Sequence, residues 1–321
     1  MTLPILAIIG GLIVLLWSAG KFVDGAAATA RYLGMSPLLI GMIIIGFGTS
    51  APEMIVSAFA ATQGNPGLAL GNAYGSNIAN IALILGLTAL LSPIAVKSEV
   101  LKKELPLLLA VTLFSVYQLI DLRVSYDDAY ALLGIFAGLM VWSIVSGMRG
   151  GDDDALAGDV ACEVPEHQPL KKSLIILLTG LVLLIASSRL LVWGAVEVAV
   201  AFGVSDVIIG LTIIAIGTSL PELAAAIAAV RKGEHELALG NVIGSNLFNT
   251  LGVVGLAGVI APMEVAPEFL YRDALIMIGL TVALFVSCIG LRGPGKINRV
   301  EGGLFAVLYF VYMGYLIQSS F

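Results

Sequence analysis

Runs of about twenty apolar residues recur along the entire chain, and only helices or closed barrels carry a backbone through a bilayer. Segments near 3–24, 37–62, 68–92, 104–121, 127–147, 172–199, 206–230, 236–261, 271–291 and 300–319 each meet the length that a ~30 Å hydrocarbon core demands. A membrane barrel would show alternating stretches of about ten residues, whereas these runs are continuous. The expected fold is an all-α membrane protein with ten transmembrane helices. Composition agrees: 59% of the 321 residues are hydrophobic and 12% charged, against ~25% charged in a soluble domain. Sixteen Lys and Arg are outnumbered by 22 acids, which excludes a nucleic-acid binder needing a basic stripe. Cys162, Cys288, His167 and His235 have no disulfide or metal-ligand spacing. The first run has no Lys or Arg before it, so it reads as a helix and not a cleaved signal.

The longest polar stretch divides the chain into three: an N-terminal five-helix unit (1–148), an acidic linker (149–171) and a C-terminal five-helix unit (172–321). Lys and Arg favour the cytoplasmic side. Lys21, Arg31, Lys97, Lys102, Lys103, Arg149, Lys171, Lys172, Arg231, Lys232, Arg292, Lys296 and Arg299 follow odd-numbered spans. Arg123, Arg189 and Arg272 fall on the other side. Both termini are therefore expected outside and the linker in the cytoplasm.

The chain also matches itself. Residues 34–93 align without a gap on 203–262, a shift of 169 (Glu53 to Glu222), with 25 identities in 60 positions. Gly48-Thr49-Ser50-Ala51-Pro52-Glu53 matches Gly217-Thr218-Ser219-Leu220-Pro221-Glu222. Gly71-Asn72 with Gly75-Ser76-Asn77 and Asn80 matches Gly240-Asn241 with Gly244-Ser245-Asn246 and Asn249. Five spans per half is odd, so the second half enters from the opposite face. Inverted repeats with interrupted helices mark secondary transporters, with the site at mid-membrane.

Of the acids, Glu53 and Glu222 fall deep inside apolar runs, where a carboxylate is expensive without a partner. Protonated glutamates serving helix packing are one reading. Repetition of the whole surrounding motif favours the other, in which the missing partner is a transported cation. Pro52 and Pro221 break the helix ladder and free carbonyls near Gly48, Thr49, Gly217 and Thr218. Freed carbonyls at membrane depth are tolerated where they line a cavity. Thr49 and Ser50 share a helix face with Glu53, and Ser76 lies one turn before Asn80. Carboxylates, hydroxyls, amide oxygens and carbonyls are hard donors suited to calcium or sodium. The Gly71/Gly75 and Gly240/Gly244 pairs read as close-packing positions.

G-T-S-x-P-E followed by G-N-x-x-G-S-N-x-x-N, present twice, resembles the two alpha-repeats of the cation/calcium exchanger superfamily, in its sodium/calcium exchanger branch of prokaryotic type. The resemblance covers essentially the whole chain. It implies ten helices as two inverted five-helix repeats, interrupted at the centre, and sodium-for-calcium antiport by alternating access. The calcium site would use Glu53, Glu222 and the carbonyls of Thr49 and Thr218. The sodium positions would share those four and add Ser50, Ser76, Ser219, Ser245 and the carbonyls of Gly46 and Ala215, with Asn80 and Asn249 lining the middle. The resemblance further implies a monomer in the prokaryotic plasma (inner) membrane, carrying Ca2+ and Na+ with no cofactor. Proton/calcium exchangers of the superfamily typically carry G-N-A-x-E in place of G-T-S-x-P-E, which favours sodium. Related exchangers often have aspartate where this chain has Asn249, which leaves ion stoichiometry and potassium coupling open. Proton/calcium and potassium-dependent exchange are the alternatives. A membrane-embedded phosphatase-type enzyme is more distant, since no buried Arg is visible to hold phosphate.

Overall fold

A computed structural model describes residues 2–97, 100–149, 169–203, 215–289 and 295–319. The first half comprises α1 (Thr2–Leu33), α2 (Pro37–Thr49), α3 (Ala51–Thr62), α4 (66–91), α5 (100–118) and α6 (Tyr126–Arg149). The second comprises α7 (Leu170–Ala201), α8 (Ala215–Thr218), α9 (Leu220–Arg231), α10 (His235–Ile260), α11 (Phe269–Cys288) and α12 (Arg299–Ser319). Seven described helices are long and apolar enough to cross a membrane, or eight with α2 and α3 counted as one bent span. The two arms of that pair meet at 45°, so they continue in one general direction and do not reverse. Two expected spans are not among the eight. The 100–118 helix carries Lys102, Lys103 and Glu104 in its first turns, and only residues 215–231 of the seventh expected span are described. Residues 150–168, which hold Cys162, His167 and most of the acidic linker, and residues 204–214 lie outside the described residues.

Local chemistry sets the helix ends. Gly34, Gly64, Gly203 and Gly233 have φ of 63°, 67°, 74° and 76°, the left-handed conformation that glycine supplies after a helix. They form two pairs 169 apart (34 and 203, 64 and 233). Ser36 Oγ accepts from Leu39 N at 3.3 Å to start α2, and Asn65 Oδ1 accepts from Leu68 N at 3.1 Å to start α4.

Two 32-residue helices, α1 and α7, pack closely and antiparallel. Gly25 abuts Leu177 and Gly180 abuts Phe22, while Gly11 meets Leu191 and Gly194 meets Pro4 and Ile8. A Cβ at Gly25 would lie 2.4 Å from Leu177 N, and one at Gly180 would lie 2.7 Å from Phe22 N. Small residues thus admit near backbone contact, as in other membrane helix pairs. These contacts also repeat at the shift of 169: Gly11 with Leu191 matches Gly180 with Phe22, and Gly25 with Leu177 matches Gly194 with Ile8. The expected ends fell short here, since α1 runs to Leu33 and not 24. Both helices measure ~48 Å at 1.5 Å per residue, well beyond the bilayer core.

The core is α4 and α10, with 78% and 83% of their apolar stretches buried, against 17% to 28% for α1, α6, α7 and α12. Two short ribbons clasp the halves. β1 (Ile94–Ala95) pairs antiparallel with β4 (Lys296–Ile297), and β2 (Arg123–Val124) with β3 (Met263–Glu264). Flanking bonds extend both, Val96 N to Gly295 O and Val265 N to Leu122 O, each 2.8 Å. Ion pairs tie the 231–236 turn to neighbouring elements: Arg31 to Glu234 at 2.9 Å, Lys97 to Glu236 at 2.5 Å, and Lys232 to Asp24.

Candidate cation site

The breaks expected at Pro52 and Pro221 fall at the serines two residues earlier. Ser50 (φ −81°, ψ 0°) and Ser219 (φ −90°, ψ 5°) both lie in the sparsely populated bridge region. Each proline occupies the first turn of the new helix, where its missing N–H costs nothing. Its ring displaces the carbonyl four residues back. At Gly217 that carbonyl accepts from Ser188 Oγ at 3.1 Å. Breaking the helix creates a fresh N-terminus inside the protein, and Glu53 and Glu222 sit in the first turns of α3 and α9. The positive end of the helix dipole favours a carboxylate there.

Both glutamates are fully enclosed, 0% and 2% exposed. Two asparagines of the repeat anchor their backbones: Asn72 Nδ2 donates to Glu53 O at 3.0 Å, and Asn241 Nδ2 to Glu222 O at 3.1 Å. Side chains interleave across the halves. Ser50 Oγ reaches Glu222 Oε1 at 3.5 Å, while Thr49 Oγ1 donates to Asn241 Oδ1 at 3.3 Å and lies 3.5 Å from Ser245 Oγ. Asn80 Nδ2 donates to Asn246 Oδ1 at 2.9 Å, and Asn77 Nδ2 to Thr250 Oγ1 at 2.8 Å. The Gly46 carbonyl accepts from Ser50 N at 3.0 Å and is approached by Thr49 Oγ1 at 3.5 Å. Ala215 begins α8.

Glu53 Oε1 and Oε2, Glu222 Oε2, Asn77 Oδ1, Asn80 Oδ1, Ser219 Oγ and both polar atoms of Asn249 are buried without a hydrogen-bond partner. Each such atom costs about 1–3 kcal/mol, and a charged one more. The oxygens among them are hard donors of the kind a calcium or sodium ion accepts. Among the described residues no cluster of three or more His, Cys, Asp or Glu exists, so the charge rests on two carboxylates amid neutral oxygens.

A cavity of about 360 Å³ leads to this region. It follows α4 from Gly67 to Ser76, ~14 Å at 1.5 Å per residue, and also touches Thr218. Here the close-packing expectation divides. A Cβ at Gly240 or Gly244 would lie 2.4 Å from Leu38 O or 2.3 Å from Met42 O, so these glycines do admit a close helix. Gly71 and Gly75 have nothing within 4 Å and face the cavity instead. The repeat is matched in sequence and unmatched in packing.

The anchoring roles of Asn72, Asn77, Asn241 and Asn246 were not among the expectations, although these residues stand in both copies of the motif. Two further acids were also missed. Glu104 and Asp273 are 8% and 6% exposed, although they stand at the ends of their apolar runs. The available signal was again the shift of 169, which matches Lys103-Glu104 to Arg272-Asp273.

A multi-pass helical membrane protein in which two broken helices present enclosed carboxylates is of the ion-transporter class. The comparison with known families is narrower: the chain belongs to the sodium/calcium exchanger protein family, whose model matches residues 3–145 and 172–318. This is a family of cation/calcium antiporters. The chain is 47% identical over 310 residues to the putative antiporter CaxA of Alkalimonas amylolytica, covering 97% of each chain. It is 40% identical over 323 residues to the inner membrane protein YrbG of Escherichia coli, covering 100% of this chain and 98% of that one. The sodium/calcium exchanger MaX1 of Methanosarcina acetivorans is 30% identical over 345 residues, with 97% and 98% covered. Among solved structures, the sodium-calcium exchanger NCX_Mj soaked with zero Na+ and Ca2+ superimposes with a TM-score of 0.85 at 31% identity, covering 98% of this chain and 99% of that one.

Proposed function

We propose that the chain exchanges sodium for calcium by alternating access at the paired glutamates. The observation that carries this reading is the set of enclosed, unpartnered oxygens contributed by both halves. Calcium would take Glu53, Glu222 and the carbonyls of Thr49 and Thr218. Sodium ions would share these and use Gly46, Ala215, Ser50, Ser76, Ser219, Ser245, Asn80 and Asn249. Two negative charges accept one calcium or several sodium ions, so the loads exclude each other. An empty occluded site would bury two unpaired charges at a cost of several kcal/mol, so the loaded site is the one that switches sides.

The reading includes ten crossings as two inverted repeats, 1–148 and 172–321, joined by the 149–171 linker. Parity supports it. With ten spans, β1 and β4 follow spans three and nine on one face, and β2 and β3 follow spans four and eight on the other. That is how they pair. Arg31, Lys97 and Lys232 follow spans one, three and seven, and ion pairs tie them to one another's loops. That basic face is the cytoplasmic one, both termini lie outside, and the cavity along α4 opens outward. The membrane is the inner membrane, as in the name of the E. coli relative, and the working unit is a monomer.

The test is transport. Purified protein in sodium-loaded vesicles takes up radioactive calcium while an outward sodium gradient exists, and stops when the gradient is dissipated. Uptake driven by a pH gradient without sodium would overturn the sodium assignment. A requirement for potassium alongside sodium would move the chain to the potassium-coupled alternative.

A further inference from the structure

The wall of the 360 Å³ cavity carries two charged side chains, Arg272 and Asp273. They are neighbours in the first turns of α11. Arg272 grips the carboxylate at both oxygens, Nε to Oδ1 at 2.8 Å and Nη2 to Oδ2 at 2.9 Å. Tyr312 of α12 adds a bond to Oδ1 at 2.8 Å. The aspartate side chain is 8% exposed and the arginine 29%, and both residues line the cavity. A bidentate guanidinium–carboxylate fork is a strong, orientation-specific ion pair. Without it, a full negative charge would line the passage to Ser76 and Thr218. Low-dielectric walls focus such a field and concentrate cations near it.

We propose that Arg272 sets the cation affinity of this entry path by neutralising Asp273, so that arriving cations pass on to the glutamates and are not held at the mouth. This rests on the cation-exchange reading and adds a residue that governs access to the same site. Arg272 acts through the field of its neighbour and is a positioning residue. The counterpart pair Lys103–Glu104 begins α5 at the other face, with Glu104 also buried, so each face carries the same basic–acidic order.

The test measures the apparent KM for calcium presented from the cavity's face, with full-length protein in vesicles. Arg272→Gln uncovers the carboxylate and lowers KM about 3–10-fold at low ionic strength, and the gain vanishes near ~0.5 M salt. Asp273→Asn leaves an uncompensated guanidinium and raises KM by a similar factor. The double variant returns close to the parent. Arg272→Lys keeps the charge but loses the bidentate fork, so its KM falls between those of the parent and the glutamine variant. A pair that merely joins α11 to α12 would shift both single variants the same way, or change only the maximal rate, and either result overturns the proposal. So does a KM for the lysine variant as low as that of the glutamine variant. Parent protein that moves calcium without a sodium gradient refutes the exchange reading, yet the opposite-sign comparison can still be made on that uptake.

Discussion

Two glycines one turn from the site provide the sharpest test of alternating access. A Cβ at Gly244 would stand 2.3 Å from Met42 O, 2.6 Å from Met42 Cα and 2.8 Å from Met42 C. All three are backbone atoms, so no side chain can rotate aside. Its counterpart Gly75 has nothing within 4 Å. Overpacking of this kind costs about 1–3 kcal/mol, which is ~5–150-fold in a two-state population. Gly244→Ala therefore penalises the conformation described here. Gly75→Ala leaves it intact and penalises the opposite one, in which the halves trade packing roles. The assay is thiol labelling of Met313→Cys, a cavity residue, with Cys162 and Cys288 replaced by alanine. Labelling should slow in Gly244→Ala and hold or rise in Gly75→Ala, while both variants exchange calcium more slowly. Equal labelling in two correctly inserted variants would mean that the cavity along α4 does not close during transport.

Glu53→Gln and Glu222→Gln each remove one of the two charges. A unit pair ~4 Å apart is worth ~4 kcal/mol at an effective dielectric of ~20, so calcium binding by titration should weaken more than about tenfold with the fold unchanged. Near-parental affinity would move the site. Asn249→Asp adds a third charge beside two carboxylates and should lower both the calcium KM and the maximal rate; unchanged kinetics would place residue 249 outside the site. Lys232→Gln with Glu234→Gln removes two exposed ion pairs worth ~0.2–1 kcal/mol each. Labelling of the cavity cysteine should fall up to about thirtyfold at low salt and approach the parent at high salt.

Eight of the expected spans were legible because a bilayer core sets a minimum length for a crossing helix, and the enclosed glutamates were legible because their motif appears twice. Neither signal says how two identical motifs pack. Gly71 and Gly240 occupy the same motif position, yet one faces a cavity and the other a backbone. The length of α1 was misjudged because Lys21 and Asp24 look like a membrane boundary, whereas the helix continues into the aqueous face and pairs Asp24 with Lys232. Glu104 and Asp273 looked like ordinary surface charges at run ends. Their burial comes from neighbouring helices, as with Tyr312 reaching Asp273, and that is invisible along one segment.

On the alternating-access reading, a duplicated motif would make the two conformations close in energy, because each half could supply the packing that the other supplies here. The contact of Met42 on Gly244 has its sequence counterpart in Leu211 and Gly75, and a Cβ at Gly75 would meet nothing within 4 Å. Near-degeneracy lets a small bias choose the resting state. On the same reading the cation load would govern whether the change can happen, since two bare carboxylates resist occlusion. Which state the protein rests in then falls to weaker features that the repeat does not copy. Asp24, Arg31 and Lys97 match Trp193, Val200 and Ala266 in the second half. Among the described residues, the ion pairs that join distant elements through these three therefore lie on the basic face. Together they supply roughly 0.6–3 kcal/mol by the magnitude of exposed pairs, a bias that on the alternating-access reading would favour a closed basic face.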